Sequence, residues 1–279
     1  WETSRMLNIA LDVRSKNNRI SASVEYFRKN GVDLFGSAPT DYTTGIPPST
    51  LRNVASMSGD GLDIELKTDN IQSGTFGWSS ILNYSFFKDQ IGEYLVNRTL
   101  ASQFVNPTSV PISGIPGRPV YSVFAYPWGG LDPSSGDPQG ILDGELSTDY
   151  RNLIGAGTTL EELEFFGSSI PTHFGSFINS FGYKGFSLQV GISYKLGYFM
   201  RRGSIHYTNL LSSWRGHSDY GDRWQQPGDE LMPDVPSNTY VANSQRDNFY
   251  AGSSVLVEKA DHIRLQYINL GYALPLRIH

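Results

Sequence analysis

Five histidines, His173, His206, His217, His262 and His279, are the side chains of this sequence best suited to moving protons or holding a metal. No two of them stand in an H-E-x-x-H or comparable ligand spacing, so they read as loop or interface residues. Asp63 and Glu65 are a second candidate. They are two residues apart in an alternating stretch, which puts both carboxylates on one strand face. A glycosidase pair needs roughly 5–9.5 Å between its carboxyl groups, and this spacing can meet that requirement. No G-x-S-x-G, phosphate-binding loop or G-x-G-x-x-G accompanies them. The expectation is therefore two hydrated charges side by side, no catalytic residue and no enzyme. The segment LDPSSGDPQG, Leu131 to Gly140, has Asp132 and Asp137 in a turn-rich setting. Asp137 falls where a calcium loop of the EF-hand type requires Gly, so a Pro-shaped turn is the better reading and a loop calcium a weak one. Cysteine is absent, which removes disulfides and thiolate metal sites; no metal and no cofactor are expected.

The residues that bind rather than react are aromatic. Tyr121, Tyr126 and Trp128 form one group, and Tyr207, Trp214, Arg215, His217, Tyr220, Arg223 and Trp224 another. Aromatic faces stack on sugars and on peptide side chains, and neighbouring Arg, Asp and Asn supply hydrogen bonds. From these, Tyr126, Trp128, Trp214, Arg215, His217, Arg223 and Trp224 are the candidates to face a substrate or a partner. Packing within a large loop is the competing role for each of them.

The elements that position these groups are strands. In GFSLQVGISYKLGY, Phe186, Leu188, Val190, Ile192, Tyr194 and Leu196 alternate with Ser187, Gln189, Gly191, Ser193 and Lys195. Period-2 counting of this kind predicts strands near 2–13, 19–27, 61–68, 76–87, 173–183, 186–199 and 262–273. The links at 14–19, 69–75 and 184–185 are short, and those at 28–56, 88–172 and 200–261 are long. Strict alternation of short and long links is what an up-and-down barrel in an outer membrane shows, with turns on one side and loops on the other. A strand half-buried in a soluble sandwich alternates in the same way, so the pattern alone leaves both architectures open. Three features favour the membrane. The run Gly185 to Tyr198 exceeds the length of an ordinary soluble strand and the 9–11 residues that cross a bilayer. Its polar face suits a wet lumen, and its ends carry aromatics as interfacial girdles do. The lipid-facing set is then Phe186, Leu188, Val190, Ile192, Tyr194 and Leu196.

Bulk properties agree. The 279 residues carry a net charge of −5, so no basic footprint for nucleic acid is expected. The mean hydropathy is −0.31, and no run of about 18 apolar residues exists. A barrel hides from both measures because its apolar residues alternate with polar ones.

Several stretches also resemble a family: GRPVYSVFAYPWGGLDPSSGDPQG (Gly117 to Gly140), IPTHFGSFINSFGYKGFSL (Ile170 to Leu188), RWQQPGDE (Arg223 to Glu230), DVPS (Asp234 to Ser237) and VLVEKADHIRLQYINLGYALP (Val255 to Pro275). Taken in order, they are similar to the C-terminal barrel of SusC/RagA-type TonB-dependent transporters of Bacteroidota. The opening 36 residues look like the same family's preceding strands. The resemblance implies an all-β, antiparallel barrel of 22 strands with long extracellular loops in the outer membrane of a Gram-negative cell. It also implies uptake of oligosaccharides or oligopeptides, a SusD-like lipoprotein lid, and coupling to TonB through an N-terminal plug region. The sequence is expected to be a piece of such a protein: no plug, no TonB box and no final strand after LPLRIH are evident, and the rest of the barrel must come from elsewhere. A soluble carbohydrate-binding or adhesin-like sandwich is the alternative.

Overall fold

A computed structural model describes residues 1–41, 43, 45, 49–96, 98, 100–231 and 234–274. The strands are β1 (Thr3–Arg14), β2 (Ile20–Pro39), β3 (Ser49–Gln72), β4 (Phe76–Tyr94), β5 (Ser122–Ala125), β6 (Trp128–Leu131), β7 (Pro138–Leu142) and β8 (Glu145–Ser147). After these come β9 (Glu164–Ser168), β10 (His173–Tyr183), β11 (Phe186–Leu196), β12 (Phe199–Arg201), β13 (Val257–Lys259) and β14 (His262–Tyr272). Three α-helices, α1 (Tyr150–Leu153), α2 (Tyr207–Ser213) and α3 (Ser244–Gly252), lie between strands of the second half.

Seven strands form one antiparallel sheet in the order β1-β2-β3-β4-β10-β11-β14, which is chain order once the loop strands are set aside. It is an open sheet with β1 and β14 at its edges, not a closed barrel. Its register carries the alternation of the sequence across the whole width. Leu188 lies opposite Phe181 and Leu270, Ile192 opposite Phe177 and Leu265, and Tyr194 opposite Ile263. Farther along the sheet, Leu82 pairs with Leu66, Tyr84 with Ile64 and Phe86 with Leu62, and Ile64 and Leu62 lead on to Val24 and Tyr26. All these side chains share one face.

That face is bare. Phe177, Tyr183 and Phe186 sit on interior strands yet are 38%, 50% and 53% exposed, and neither buried apolar cluster of the chain draws a residue from this face. Water would oppose such a surface: a contiguous apolar patch of this extent on a soluble protein marks something that covers it. No second sheet of the sandwich kind lies over it among the described residues.

The bare face also has a defined height. One row, Phe76, Tyr183, Phe186 and Tyr272, crosses four strands as an aromatic line. Ten residues along β4 is Phe86, in a row with Leu62 and Tyr26, and beyond it the same face turns charged with Arg28, Asp60 and Lys88. Ten steps of about 3.4 Å on strands tilted near 40° rise roughly 26 Å, close to the 25 Å apolar band of outer-membrane barrels.

The opposite face is polar and cross-linked. Asn8 donates to Glu25 (2.6 Å), Lys67 pairs with Glu65 (2.6 Å), Asn83 donates to Ser176 (3.0 Å), and Gln266 donates to Ser193. The turns at Ser15–Asn18, Ser73 and Lys184–Gly185 all close one end of the sheet. Lys184 and Gly185 are both in left-handed backbone, φ 44° and 86°, as a two-residue hairpin turn requires.

Several boundaries differ from the sequence reading. The expected loop 28–56 is largely strand, since β2 runs to Pro39 and β3 begins at Ser49. β4 continues to Tyr94, past the expected end at residue 87. Bulges are the reason the count stopped early. The β2–β3 register slips between Gly31 and Phe35, and the β3–β4 register slips at Ser56/Met57, so side chains change face and alternation is lost. β11 ends at Leu196, short of the expected 199, where Gly197 turns to φ 77°. The expectation of no final strand falls on residues 275–279, which lie outside the described residues.

Candidate functional site

Beyond the end of the sheet opposite its turns, the two long connections fold on each other. Their core contains Phe104, Phe124, Tyr126, Tyr150 and Leu153 of the first connection and Phe249 of the second. Tyr126 is the hinge of this union. Its N–H donates to Gly252 O (3.1 Å), and its carbonyl accepts from Ser254 N (2.9 Å). The helix α3 that brings Phe249 and Tyr250 inward starts at Asn243, whose side chain accepts from the N–H groups of Gln245 and Arg246. Arg246, 3% exposed, then clamps the first connection. Its Nε meets Asp137 Oδ1 of the first connection at 2.6 Å, and its Nη2 donates within its own connection to Ser237 O (2.9 Å) and Ser237 Oγ (3.0 Å). The assembly is anchored on the wall by β4, where Ile91 N donates to Arg118 O (2.9 Å) and Asp89 accepts from Val120 N (2.8 Å).

This packing divides the seven aromatic and basic candidates. Tyr126 and Trp224, both expected to face a ligand or partner, are buried. Tyr126 lies against Phe249 (centroids 5.9 Å), and burial pushes its hydroxyl up to about 12. Trp224 covers Gly136 and donates from Nε1 to Glu230 (3.2 Å). Each fills the small core that a loop of this size needs in order to hold a shape. Trp128 is half-buried between Phe249 and Tyr250. Arg223 is half-buried as well, its guanidinium 4.1 Å over the Tyr220 ring and its Nη1 donating to Tyr220 O (2.9 Å). Trp214, Arg215 and His217 stand in the open. Trp214 ends α2 in left-handed backbone, φ 57°, and is 91% exposed, so its indole projects from the helix end into the open.

Arg223 lines a cleft of about 560 Å³ with Arg202, Asp219, Asp222, Asp229 and Asp234. Asp219 is its best-held carboxylate. Burial alone would raise its pKa, but hydrogen bonds from Ser204 (2.6 Å) and Arg202 (2.7 Å), with His217 at 2.9 Å, outweigh burial and hold the carboxyl below its ordinary value. Arg202 also pairs with Glu258 at 3.1 Å. Such a lining offers donors and acceptors of both signs to a polar ligand and no activated nucleophile. Among the described residues no group of three or more His, Cys, Asp and Glu could hold a metal ion. Asp132, the weak calcium candidate, closes a turn on itself. Its Oδ1 accepts from the Ser134 hydroxyl and N–H and from Ser135 N, and these bonds lower its pKa. Asp63 and Glu65 sit on the polar face of the sheet, away from the loops, with Glu65 paired to Lys67.

Sequence reasoning missed Arg246 and the upper halves of β2–β4. Asn243 before a helix-forming run was the available signal for α3. Nothing local marks Arg246 as buried.

No family model matches the chain. Two curated proteins of Formosa agariphila are similar to it. TonB-dependent receptor P26 is 24% identical over 302 aligned residues, covering 99% of this chain and 28% of that protein. TonB-dependent receptor P3 is 25% identical over 294, covering 99% and 27%. Among solved structures, the RagAB peptide transporter superposes with a TM-score of 0.71 at 22% identity, over 99% of this chain and 29% of that one. The RagAB peptide importer in its closed-closed state does so with 0.70 at 21%. The resemblance to TonB-dependent receptors therefore holds along the whole chain, and the chain spans less than a third of each relative's length. Those names are of receptors and transporters, not enzymes. Among the described residues no helix is long and apolar enough to cross a membrane; a barrel crosses with strands.

Proposed function

We propose that this chain, similar throughout its length to part of a TonB-dependent receptor, is a stretch of outer-membrane barrel wall with its extracellular loops. In this reading the whole protein imports oligosaccharides or oligopeptides under TonB control, beneath a SusD-like surface lipoprotein. The observation that carries it is the seven-strand meander with one bare apolar face about as tall as a bilayer's interior and one hydrated face. The open sheet supports completion by further strands, because unpaired edges cannot face lipid. The wall excludes hydrocarbon on one side and lines a wet passage on the other. The loop cap supplies the ligand-holding surface, with Trp214 and Arg215 exposed to a ligand or lid, His217 exposed but held against Asp219, and Arg223 in the cleft. Energy coupling would lie in the remainder of the protein.

The chain contains no cysteine, so a thiol introduced into it reports alone within it. In the full-length protein, Leu188→Cys and Gln189→Cys place neighbouring thiols on the two faces. A membrane-impermeant charged maleimide should label the second and spare the first, and a lipid-borne quencher should reach a fluorophore only at the first. Equal labelling of both, with the protein recovered in the soluble fraction, would remove the transporter reading in favour of a soluble sandwich. Uptake of fluorescent oligosaccharides and oligopeptides by cells carrying or lacking the protein then separates the two cargo classes.

A further inference from the structure

The hydrated face of the sheet carries aromatic rings among its charges and amides. One row on it runs Asn8, Phe27, Gly61 and Phe87, one residue from each of β1–β4. The row is level with the loop-side end of the apolar band, since Phe27, Gly61 and Phe87 adjoin Tyr26, Leu62 and Phe86 in sequence. Phe27 lies face-down across β3. A Cβ built on Gly61 would strike the tip of its ring and meet both Cε atoms equally, at 2.5 Å, which puts the face of the ring over the glycine. Phe87 leans onto the next glycine of the same face, where a Cβ on Gly59 would come within 2.9 Å of its Cε2 and Cζ. The two ring planes are within 22° of each other, with centroids 6.2 Å apart. Rings laid over successive same-face positions of one strand make a floor, side by side. Phe174, 38% exposed, extends it onto β10 as the diagonal neighbour of Phe87. Neither buried apolar cluster of the chain includes these three rings.

Resting on the reading of this face as the wall of a wet passage, we propose that Phe27, Phe87 and Phe174 form a stacking site for the pyranose rings of an oligosaccharide, on the passage wall beneath the loop cap. A sugar has an apolar C–H face that settles on an aromatic face, and hydroxyls that radiate from its edge. The edge of this floor meets those hydroxyls. Asn8 stands in the same row, and Glu25, which it binds at 2.6 Å, in the adjoining one with Asp63 and Ser85. Lys29 brings its ammonium to 5.3 Å from the centre of the Phe27 ring, with three donors to offer. The two glycines leave room for the rings to lie down, so the floor is set before a ligand arrives and little ordering is lost on binding. A peptide is served less well. β3 is an interior strand whose N–H and C=O groups are spent on β2 and β4, so an extended backbone finds no edge to pair with. The cap is anchored two residues beyond Phe87, where Asp89 accepts from Val120 N, so the floor lies directly below the loops. It gives a saccharide a foothold inside the passage, separate from the cleft above.

The test uses the purified full-length protein in micelles and a panel of neutral hexasaccharides, α- and β-linked, of glucose, mannose and galactose, with hexapeptides as the other arm and bound ligand read by native mass spectrometry. At least one saccharide should bind. Phe27→Leu and Phe87→Leu keep apolar bulk and remove the aromatic face, and each should weaken that saccharide about fivefold. Phe87→Trp should hold or tighten it. Gly61→Ala keeps both rings but lifts Phe27 off the wall, and should weaken it as much as Phe27→Leu. A panel without a saccharide binder overturns the proposal, and binding of hexapeptides alone overturns the cargo class. Leucine variants that bind like the wild type overturn it too; if they also melt at lower temperature, the rings are a packing seat for another part of the protein. The leucine variants test the site even where Gly61→Ala disturbs the strand. A protein that never enters micelles refutes the barrel reading itself, a different outcome from insertion without saccharide binding.

Discussion

Arginine placed at Ile192 and at Ser193 puts the same charge at one depth on the two faces of β11. Ile192 lies six residues from the aromatic row at Phe186. At about 3.4 Å per residue and a tilt near 40°, that is roughly 16 Å up a band of about 26 Å, close to its middle. A midplane Arg on the lipid side of a barrel costs about 2–4 kcal/mol. Ser193 faces Ser176 and Arg264 on the hydrated side and accepts a hydrogen bond from Gln266. Losing that bond costs about 1 kcal/mol, and the new charge stays in water. Phe186→Arg adds a depth control. At the band's edge the charge itself should cost about 0–1 kcal/mol, with a further 0.5–1.5 kcal/mol for the lost ring contact with Tyr272 at 4.4 Å. Urea unfolding of the full-length protein in lipid vesicles reads all three. The expected order places Ile192→Arg well below Ser193→Arg in stability. Equal costs at 192 and 193 would refute the assignment of faces, and a larger cost at 193 would invert it.

Two further outcomes concern the loops. Arg246→Ala breaks a buried pair and strands the carbonyl and hydroxyl of Ser237, so the cap should lose about 3 kcal/mol or somewhat more. Limited proteolysis should then cut within 200–261 while the strands stay protected; unchanged protection would mean the clamp is dispensable. Asp219 has a folded pKa below its ordinary 3.8, so its contribution is complete above that value and is lost as pH falls through the lowered one. The cap should hold at pH 5 and loosen at lower pH, followed by proteolysis or tryptophan fluorescence, and Asp219→Asn should flatten that dependence.

Alternation is a property of neighbours in sequence, so the regularly alternating parts of the sheet were legible without coordinates. Phe186, Leu188, Val190, Ile192, Tyr194 and Leu196 need only the period of a strand to be put on one face, and short turns between long loops order the strands into a meander. Bareness of that face was not legible, because an apolar stripe under a second sheet and one left uncovered read alike; only the structure shows that, among the described residues, no layer packs over Phe177, Tyr183 and Phe186. The upper halves of β2–β4 escaped notice because they stand beyond the band. With bulges at Gly31–Phe35 and Ser56/Met57 shifting the phase, their residues carry no period to count. The loops depended on tertiary structure most of all. Tyr126, Trp214 and Trp224 are equivalent as aromatic residues in loops, yet packing against Phe249 and Gly136 buries two and leaves the third in water. Burial in a loop core is decided by which distant segments meet, here residues 101–165 with 244–256, and no local pattern in the chain encodes that meeting.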